Sequence, residues 1–335
     1  MPGIVVKPNR AVPARRYQQL VSTSGCRACV STHNRPPVVA LVGATATGKS
    51  DLAVALAQAV DGEIINADAM QFYQGMDIGT AKITEAEQQG IVHHLLDIYP
   101  LHVEATVAGF QTQARNTITD IRTRDRIPIL VGGSGLYVRA ALDTLEFPPT
   151  NTALRQQLIG EVELSGIDHL VKELQTVDPD AAHRLSDERR IIRAVEVHRL
   201  TGRPFSSFMP QREYHPDTQP VVQIGLSIPR TLLHERVEQR VYKMFDAGWV
   251  EEVSRLQDVG LAQAPTASKA IGYRQMLDYL AGSITRNEAI ESTIVATRRF
   301  ARRQETWFKA DHRVHWIDTQ SDDLVADALT VIESR

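Results

Sequence analysis

The chain has 335 residues, of which 43% are hydrophobic and 23% are charged, and its formal net charge is −3. This composition is typical of a globular protein, and the length allows one large domain or two smaller ones, each with its own core. The charge excludes a chain that is basic throughout, although a local basic surface for nucleic acid is compatible with it.

The first 36 residues are interpreted as a disordered basic extension. They carry five arginines but no apolar segment followed by a cleavage site, so they do not resemble a secretory signal. Both cysteines of the chain, Cys26 and Cys29, lie here, and their spacing could provide half of a zinc site. No second Cys or His pair stands at metal-ligand spacing, which argues against that interpretation.

Cysteine content and hydropathy also bear on where the protein works. So few cysteines favour a reducing compartment, and we therefore expect a cytoplasmic protein. No run of 18 apolar residues occurs, which predicts that no segment spans a membrane. We also expect a monomer.

A βαβ unit opens the organised part of the chain, which begins at Pro36. The run VVALV (38–42) is short, continuous and apolar, as expected of a strand that is buried on both faces. A glycine loop follows, then a helix from Lys49 to Val60, and then a second apolar run, EIINAD (63–68), that ends in an acid. A strand, a helix and a second strand within about 30 residues are the unit from which parallel sheets are built.

The remaining elements extend this sheet and add helices. Apolar residues at helical spacing predict a helix from Thr106 to Arg124, followed by a third buried strand, IPILV (127–131). A fourth strand is predicted at 221–228, and between Phe147 and Phe208 only helical patterns occur. The predicted fold is α/β, with a P-loop NTPase-like parallel sheet core, a helical insertion domain and a helical C-terminal region. The predicted boundaries are 37–146 and 213–320 for the two parts of the core, 147–212 for the insertion and 321–335 for a C-terminal tail.

The segment GATATGKS (43–50) has the Gly-x4-Gly-Lys-Ser pattern of a phosphate-binding loop, and the predicted strand and helix flank it as that mechanism requires. Backbone N–H groups of such a loop converge on an anion at a helix N-terminus, where the helix dipole favours negative charge. Lys49 adds a positive charge, and Ser50 offers a hydroxyl to a phosphate-bound Mg²⁺. The pattern is most often found in proteins that bind ATP or GTP, but it does not specify the reaction.

The neighbours of the loop argue against a kinase or NTPase. Parallel strands open at one edge of their sheet, which places Asp68 and the turn Gly132–Gly135 near Lys49. Asp68 could be a Mg²⁺ ligand, a general base or a helix cap. A kinase would need an apolar strand that ends in a metal-holding acid, whereas strand 127–131 ends in glycines. Asp97, in HHLLDIYP, could supply such an acid, but the surrounding sequence matches this kind of metal site poorly.

The segment INADAMQFYQGMDIGTAK (65–82) closely resembles the signature of the tRNA dimethylallyltransferases. The resemblance extends from Val38 to Asp318 and rests on several motifs in the family's order. Ala44, Ala69, Gln74 and Ser134 depart from the residues that are usual at those positions, and Ala69 lacks the hydroxyl that the family's usual serine offers to the substrate base. The further motifs are GATATGKS (43–50), LVGGSGLY (130–137), RRIIRAVEV (189–197), KAIGYRQM (269–276) and RRQETWF (302–308).

This resemblance implies transfer of a dimethylallyl group from dimethylallyl diphosphate to N6 of adenosine 37 in tRNA, with release of diphosphate. The implied cofactor is Mg²⁺, held by Ser50, and the implied macromolecular partner is the anticodon stem-loop of tRNA. Asp68 is the implied general base, assisted by Ser134 and Lys49. The implied diphosphate contacts are Gly43, Ala44, Thr45, Ala46, Thr47, Gly48, Lys49, Ser50 and Arg240. The implied tRNA contacts are Asp68, Ala69, Met70, Gln71, Arg189, Arg190, Arg193, Lys269, Gly272, Tyr273 and Arg274.

Three alternatives remain open at this point. An adenylate isopentenyltransferase would add the same group to a free nucleotide, but it would hardly need the helical insertion or the basic C-terminal helices. A small-molecule kinase would transfer phosphate from ATP. A P-loop protein that binds RNA without chemistry would have no turnover to lose when Asp68 is replaced. For Trp307, packing in the core is favoured over contact with RNA.

Overall fold

The computed structural model of the chain describes residues 35–208 and 212–334. Residues 1–34 of the predicted extension, including Cys26 and Cys29, therefore lie outside the described residues. The chain forms two compact units, the helical unit Leu142–His215 and the sheet unit, which comprises the described residues up to Ala141 and those from Pro216 onward. Within residues 35–208 and 212–334, every helix is too short or too polar to cross a membrane.

The sheet unit contains six strands in the order β3-β2-β4-β1-β5-β6, and every neighbouring pair is parallel. All five residues of β1 are fully buried, as a strand needs to be when it lies at the centre of a sheet covered on both faces. The predicted α/β fold is confirmed. The strands are β1 (Val38–Val42), β2 (Gly62–Asn66), β3 (His93–His94), β4 (Ile127–Gly132), β5 (Val221–Ser227) and β6 (Val314–Asp318).

The helices of the sheet unit begin with α1, which carries Leu52 and Leu56 into the core beneath the sheet. A second core lies around Trp249 and Tyr273. It is enclosed by helices that follow β5, among them the 24-residue helix Arg286–Lys309 (α12). The bounds are α1 (Lys49–Val60), α2 (Glu85–Gln88), α3 (Val107–Thr123) and α4 (Gly135–Leu142) before the helical unit. After it come α9 (Arg230–Asp246), α10 (Trp249–Asp258), α11 (Tyr273–Leu280), α12 (Arg286–Lys309) and α13 (Leu324–Glu333).

A C-terminal tail is predicted for 321–335, but the described residues of this segment, 321–334, contain a helix. Asp323 caps the helix α13 by accepting a hydrogen bond from the backbone N–H of Ala326 at 3.0 Å. Ala328 and Ile332 are buried in the same core as the residues of α1. The sequence analysis also missed strands β3 and β6, because the former has only two residues and the latter is a short, partly exposed edge strand.

The helical unit overlaps the segment 147–212, for which a helical insertion is predicted. Its core contains Leu158 and Leu174 among other apolar residues. At its centre, the fully buried carboxylate of Glu196 accepts hydrogen bonds from the side chains of Arg155 and Arg193, each at 2.9 Å. The helices are α5 (Thr152–Ser165), α6 (Asp168–Val177), α7 (Pro179–Arg184) and α8 (Glu188–Thr201).

Candidate active site

The phosphate-binding loop connects the buried carboxyl end of β1 to the first turn of α1. Its glycines are needed because Gly43 and Gly48 have φ values of +137° and +92°, which residues with a Cβ rarely adopt. Inside the loop, the Thr47 hydroxyl and Lys49 Nζ both donate to the carbonyl oxygen of Ala44, at 2.9 and 2.5 Å. The sequence thus folds here into a closed turn that holds Lys49 at the helix N-terminus.

Gln304 of α12 links this loop to the glycine turn that follows β4. Its Oε1 accepts a hydrogen bond from the Thr45 backbone N–H at 2.9 Å, and its Nε2 donates to the Gly133 carbonyl oxygen at 2.9 Å. A Cβ on Gly133 would lie 2.1 Å from Nε2, so any other residue there would displace the Gln304 amide from these hydrogen bonds. Gln304 belongs to the motif RRQETWF (302–308), but its role was not predicted from the sequence.

Asp68 lies at the carboxyl end of β2 and caps the short 3-10 turn Ala69–Phe72. Its Oδ1 accepts a hydrogen bond from the Met70 backbone N–H at 3.0 Å, and its own N–H donates to Asn66 Oδ1 at 3.0 Å. The helix-cap interpretation is therefore correct, but it does not exclude a chemical role, since Oδ2 makes no hydrogen bond within the described residues. The cap fixes the direction of the carboxylate.

A cavity of about 710 Å³ opens beside the loop, and we call it the cation-lined cavity. Its positive charges come from the loop and from one face of α9, where Arg236, Arg240 and Lys243 follow at helical spacing. Asp51 and Glu87 contribute negative charge to the same space. The lining also includes Thr45, Ala46, Gly48, Lys49, Ser50, Asp68, Gln71, Gly132 and Gly133.

A second cavity, of about 350 Å³, adjoins the first, and its walls are mainly apolar. We call it the apolar cavity. Four residues line both cavities, and they therefore mark the junction between the cation-lined and the apolar cavity: Thr45, Asp68, Thr80 and Arg240. The other residues that line the apolar cavity include Met70, Gly79, Ser134, Tyr137, Trp249, Lys269, Thr293 and Phe300.

Burial changes the proton affinity of the groups at this junction. It lowers the pKa of Lys49 to about 7; the positive charge of Arg240 acts in the same direction, and the negative charge of Asp68 opposes it. Burial raises the pKa of Asp68, while the Met70 N–H bond and the charges of Lys49 and Arg240 act against the rise. Burial also lowers the pKa of Arg240, whose Nη1 lies 3.4 Å from Thr45 Oγ1. Groups with shifted pKa values in a cleft are characteristic of functional sites.

The turn Met76–Ala81 forms a wall of both cavities and is held by a buried carboxylate. Glu252 of α10 accepts hydrogen bonds from the backbone N–H groups of Asp77, Ile78 and Gly79 at 2.9, 2.6 and 3.2 Å. The hydroxyl of Tyr273 donates to the same carboxylate at 2.6 Å. This contact is a correction: Tyr273 is fully buried, so its side chain cannot be the tRNA contact that the sequence predicted.

The other predicted tRNA contacts near Tyr273 differ from one another in exposure. Lys269 and Arg274 are exposed, and Lys269 lines the apolar cavity. Gly272, by contrast, is buried with φ +89°, and a Cβ there would lie 2.1 Å from the Trp249 ring, so the structure gives this glycine a packing role. Of the other predicted tRNA contacts in the sheet unit, Ala69 is buried, whereas Met70 and Gln71 are half-buried at the cavities.

The three arginines predicted to contact tRNA from the helical unit also fall into two groups. Arg189 and Arg190 are exposed in the first turn of α8. Arg193 instead donates to Glu196 and to the carbonyl oxygens of Pro148 and Pro149, at 2.9, 2.9 and 3.0 Å. Its guanidinium therefore stabilises the helical unit, because it satisfies a buried carboxylate.

Further expectations from the sequence can be compared with the structure. Trp307 was expected in the core but is 45% exposed, because its indole lies against the backbone of Gly135 at the surface. Asp97 pairs with Lys82 and lines neither cavity, so it does not replace the missing strand-end acid. Within the described residues, no group of three or more His, Cys, Asp or Glu side chains could hold a metal.

Comparisons with known proteins agree with the resemblance. The sequence model of a family described as IPP transferase matches residues 71–311. A tRNA dimethylallyltransferase of Pseudarthrobacter chlorophenolicus is 62% identical over 88% of this chain and 97% of its own length. One from Kocuria rhizophila is 53% identical over 90% of this chain and 96% of its own length.

Solved structures give the same result. The full-length tRNA isopentenylpyrophosphate transferase of Bacillus halodurans superimposes with a TM-score of 0.66 at 38% identity, covering 90% of this chain and 95% of its own. A eukaryotic dimethylallyltransferase acting on tRNA has a TM-score of 0.75 at 26% identity, covering 88% of this chain and 78% of its own. The predicted resemblance is confirmed.

Proposed function

We propose that this chain, which belongs to the IPP transferase family, transfers a dimethylallyl group from dimethylallyl diphosphate to N6 of adenosine 37 in tRNA. The observation that carries this proposal is the junction of the two cavities, where Asp68 and Arg240 line both a cation-lined and an apolar space. An allylic diphosphate has one highly charged end and one apolar end. The two adjoining cavities match these two ends.

The cation-lined cavity suits a leaving diphosphate. Negative charge grows on the departing oxygen as the bond between carbon and oxygen breaks, and preorganised donors stabilise such charge best where water is scarce. Lys49 and Arg240, together with the N–H groups at the start of α1, supply these donors. The same loop that holds ATP elsewhere would therefore hold the leaving group here.

The apolar cavity suits the reacting carbon and the base. The N6 lone pair of adenine forms a bond to C1 of the dimethylallyl group as the C1–O bond to diphosphate breaks. The proton that N6 then loses passes to Asp68, whose raised pKa makes it a better proton acceptor than an ordinary aspartate. Ser134 lines this cavity and offers a hydroxyl to the substrate.

Magnesium fits the donors that the cation-lined cavity presents. Mg²⁺ prefers oxygen ligands and is usually held by one or two protein groups together with substrate phosphates and water. The exposed hydroxyl of Ser50 provides such a ligand at the mouth of the loop, and Asp51 lies beside it. When bound, the ion would neutralise part of the charge on the diphosphate.

The tRNA would approach through exposed basic groups. Lys269 and Arg274 in the sheet unit, and Arg189 and Arg190 in the helical unit, are available for phosphates of the anticodon stem-loop. A base in that loop must leave its stack before N6 can enter the apolar cavity. A free nucleotide would require neither contacts to the phosphates of a stem-loop nor removal of a base from its stack. The exposed basic groups therefore disfavour the adenylate alternative.

The test is to incubate the protein with labelled dimethylallyl diphosphate and Mg²⁺, using either tRNA or AMP as the acceptor. We expect label in tRNA, at a nucleoside with the mass of N6-dimethylallyladenosine, and none in AMP. Transfer to AMP alone would support the adenylate alternative instead. Phosphate transfer from ATP without prenyl transfer would support a kinase.

A further inference from the structure

Two residues that line the apolar cavity each carry a buried polar atom without a hydrogen-bond partner among the described residues. They are Nε1 of Trp249, which is 1% exposed, and Oγ1 of Thr293, which is 2% exposed. Both residues line the cavity. A buried polar atom that is left unpaired destabilises the folded chain, so two such atoms beside one apolar cavity indicate a partner that the described residues do not supply.

The hydroxyl of Thr293 is unusual for its position in α12. A threonine inside a helix commonly bonds the carbonyl oxygen four residues earlier. Thr297, one turn later in the same wall, does this with the Thr293 carbonyl oxygen at 2.8 Å. Thr293 makes no such bond, so its hydroxyl is free to donate to a ligand or accept from one.

The indole of Trp249 is held rigidly by its surroundings. Phe245 and Tyr273 both contact it edge to face, at interplanar angles of 77° and 78°. Gly79 and Gly272 also lie against the ring, since a Cβ on either would come within 2.1 Å of it. Because the ring is fixed from several directions, its N–H is a preorganised donor rather than a mobile one.

We propose that Trp249 and Thr293 recognise the target adenine through N1 or N7, the two ring nitrogens that lie on either side of its N6 amine. The inference rests on the proposed function, because it needs adenine in the apolar cavity. The transferred dimethylallyl group has no acceptor to offer these atoms. Adenine does, since N1 and N7 lie on either side of its N6 amine and both accept hydrogen bonds.

The pattern of polar groups in the cavity is complementary to adenine and opposed to guanine. Asp68 accepts a hydrogen from N6, and the Trp249 N–H, assisted by the Thr293 hydroxyl, donates to the adjacent ring nitrogen. Guanine presents O6 where adenine presents its amine, so it would face the carboxylate with an acceptor. A site built to form hydrogen bonds strongly rejects analogues that lack the matching group.

The experiment uses an anticodon stem-loop RNA that carries adenosine, 1-deazaadenosine or 7-deazaadenosine at the target position. It is performed with the full chain and with Thr293→Val and Trp249→Phe. Valine matches threonine in shape, so the first variant removes only the hydroxyl. We expect the unaltered protein to lose about 10-fold in kcat/KM on one of the two deaza substrates, which identifies the nitrogen that is recognised.

On the adenosine RNA, the kcat/KM of each variant should fall by about the same factor as the unaltered protein loses on the sensitive deaza substrate. Changing from the adenosine RNA to that deaza substrate should then lower the kcat/KM of the variant only slightly. The matched control is Thr297→Val, which lines the same cavity with a hydroxyl that is already bonded and should retain the deaza penalty. Equal reaction of all three RNAs with the unaltered protein would overturn the inference, as would a deaza penalty that survives in both variants. Failure of the unaltered protein to prenylate the adenosine RNA would instead contradict the proposed function.

Discussion

Gln304 Oε1 accepts a hydrogen bond from the Thr45 backbone N–H at 2.9 Å, although the two residues are 259 positions apart in the chain. The same amide donates to the Gly133 carbonyl oxygen at 2.9 Å, and the residue is only 7% exposed. One side chain of α12 therefore sets the distance between the phosphate-binding loop and the glycine turn after β4. The shape of the cation-lined cavity depends on a contact that no local motif contains.

Replacement of Gln304 should accordingly impair use of the diphosphate substrate. In Gln304→Ala, the Thr45 N–H and the Gly133 carbonyl both lose their partner, at a cost of roughly 1–3 kcal/mol. We expect kcat/KM for dimethylallyl diphosphate to fall about 10- to 100-fold, as measured by steady-state kinetics at saturating tRNA. Glu305→Gln, the next residue of the same helix, which is half-buried and ion-paired with the exposed Lys309, is the matched control and should stay near the unaltered value. Equal activity of the two variants would contradict the role given to Gln304.

Asp68→Asn should remove the proton acceptor while keeping the helix cap, because asparagine also caps helices. Loss of a general base typically reduces the rate about 10²- to 10⁴-fold, and single-turnover transfer with prebound tRNA measures this directly. For the unaltered protein, the rate should rise with pH through the raised pKa of Asp68, because only the ionised carboxylate accepts the proton. The residual rate of the variant should lack this rise. Retained tRNA affinity, checked by filter binding, would distinguish lost chemistry from lost binding.

Much of the site was predictable from the sequence, since its chemistry is local to short motifs. The loop 43–50 requires glycine at its tight turns, and Asp68 follows an apolar run whose carboxyl end must face the same edge of the sheet. The roles of Gln304, Glu252 and Thr293 were not predictable, because each depends on the packing of helices that are distant in sequence. Tyr273 illustrates the converse error, since its motif indicates tRNA while its burial shows a structural contact.

Glu63 should contribute stability that depends on pH. It is 3% exposed in the side chain; burial raises its pKa, but hydrogen bonds from Arg124 and His94 outweigh this and bring the pKa to about 2. Because the folded pKa is depressed, the stabilisation is complete above the unfolded value and disappears as pH falls toward 2. We expect Glu63→Gln to cost about 2–3 kcal/mol at pH 7 and progressively less in acid, as measured by urea unfolding. Asp61→Asn, a matched control beside it with an exposed side chain, should change the free energy of unfolding at pH 7 by less than about 0.5 kcal/mol.

Tyr273→Phe and Arg274→Ala should separate packing from tRNA contact within one motif. The first removes the hydroxyl that donates to buried Glu252, so we expect it to lower the free energy of unfolding by about 1.5–3 kcal/mol. The second removes an exposed positive charge and should weaken tRNA binding, with the salt dependence reduced by about 0.7–0.9 for one lost phosphate contact. Thermal unfolding and binding at several salt concentrations measure both effects. Weaker tRNA binding by a fully folded Tyr273→Phe would restore the original prediction for that residue.

Arg190 and Arg193 provide the same contrast in the helical unit. Arg193→Ala leaves the buried carboxylate of Glu196 with one arginine instead of two and frees two carbonyl oxygens, so we expect it to destabilise the unit by about 2–4 kcal/mol. Arg190→Ala removes an exposed charge and should leave stability within about 0.5 kcal/mol of the unaltered protein. It should nevertheless weaken tRNA binding in a salt-dependent manner, because phosphate contacts release counterions. Arg193→Lys tests the assignment further: lysine keeps the charge but cannot reach Glu196 and two carbonyls with one planar fork, so stability should remain low. If Arg193→Lys were as stable as the unaltered protein, the positive charge alone would account for the stabilisation by Arg193. The planar shape of its guanidinium would then not be required.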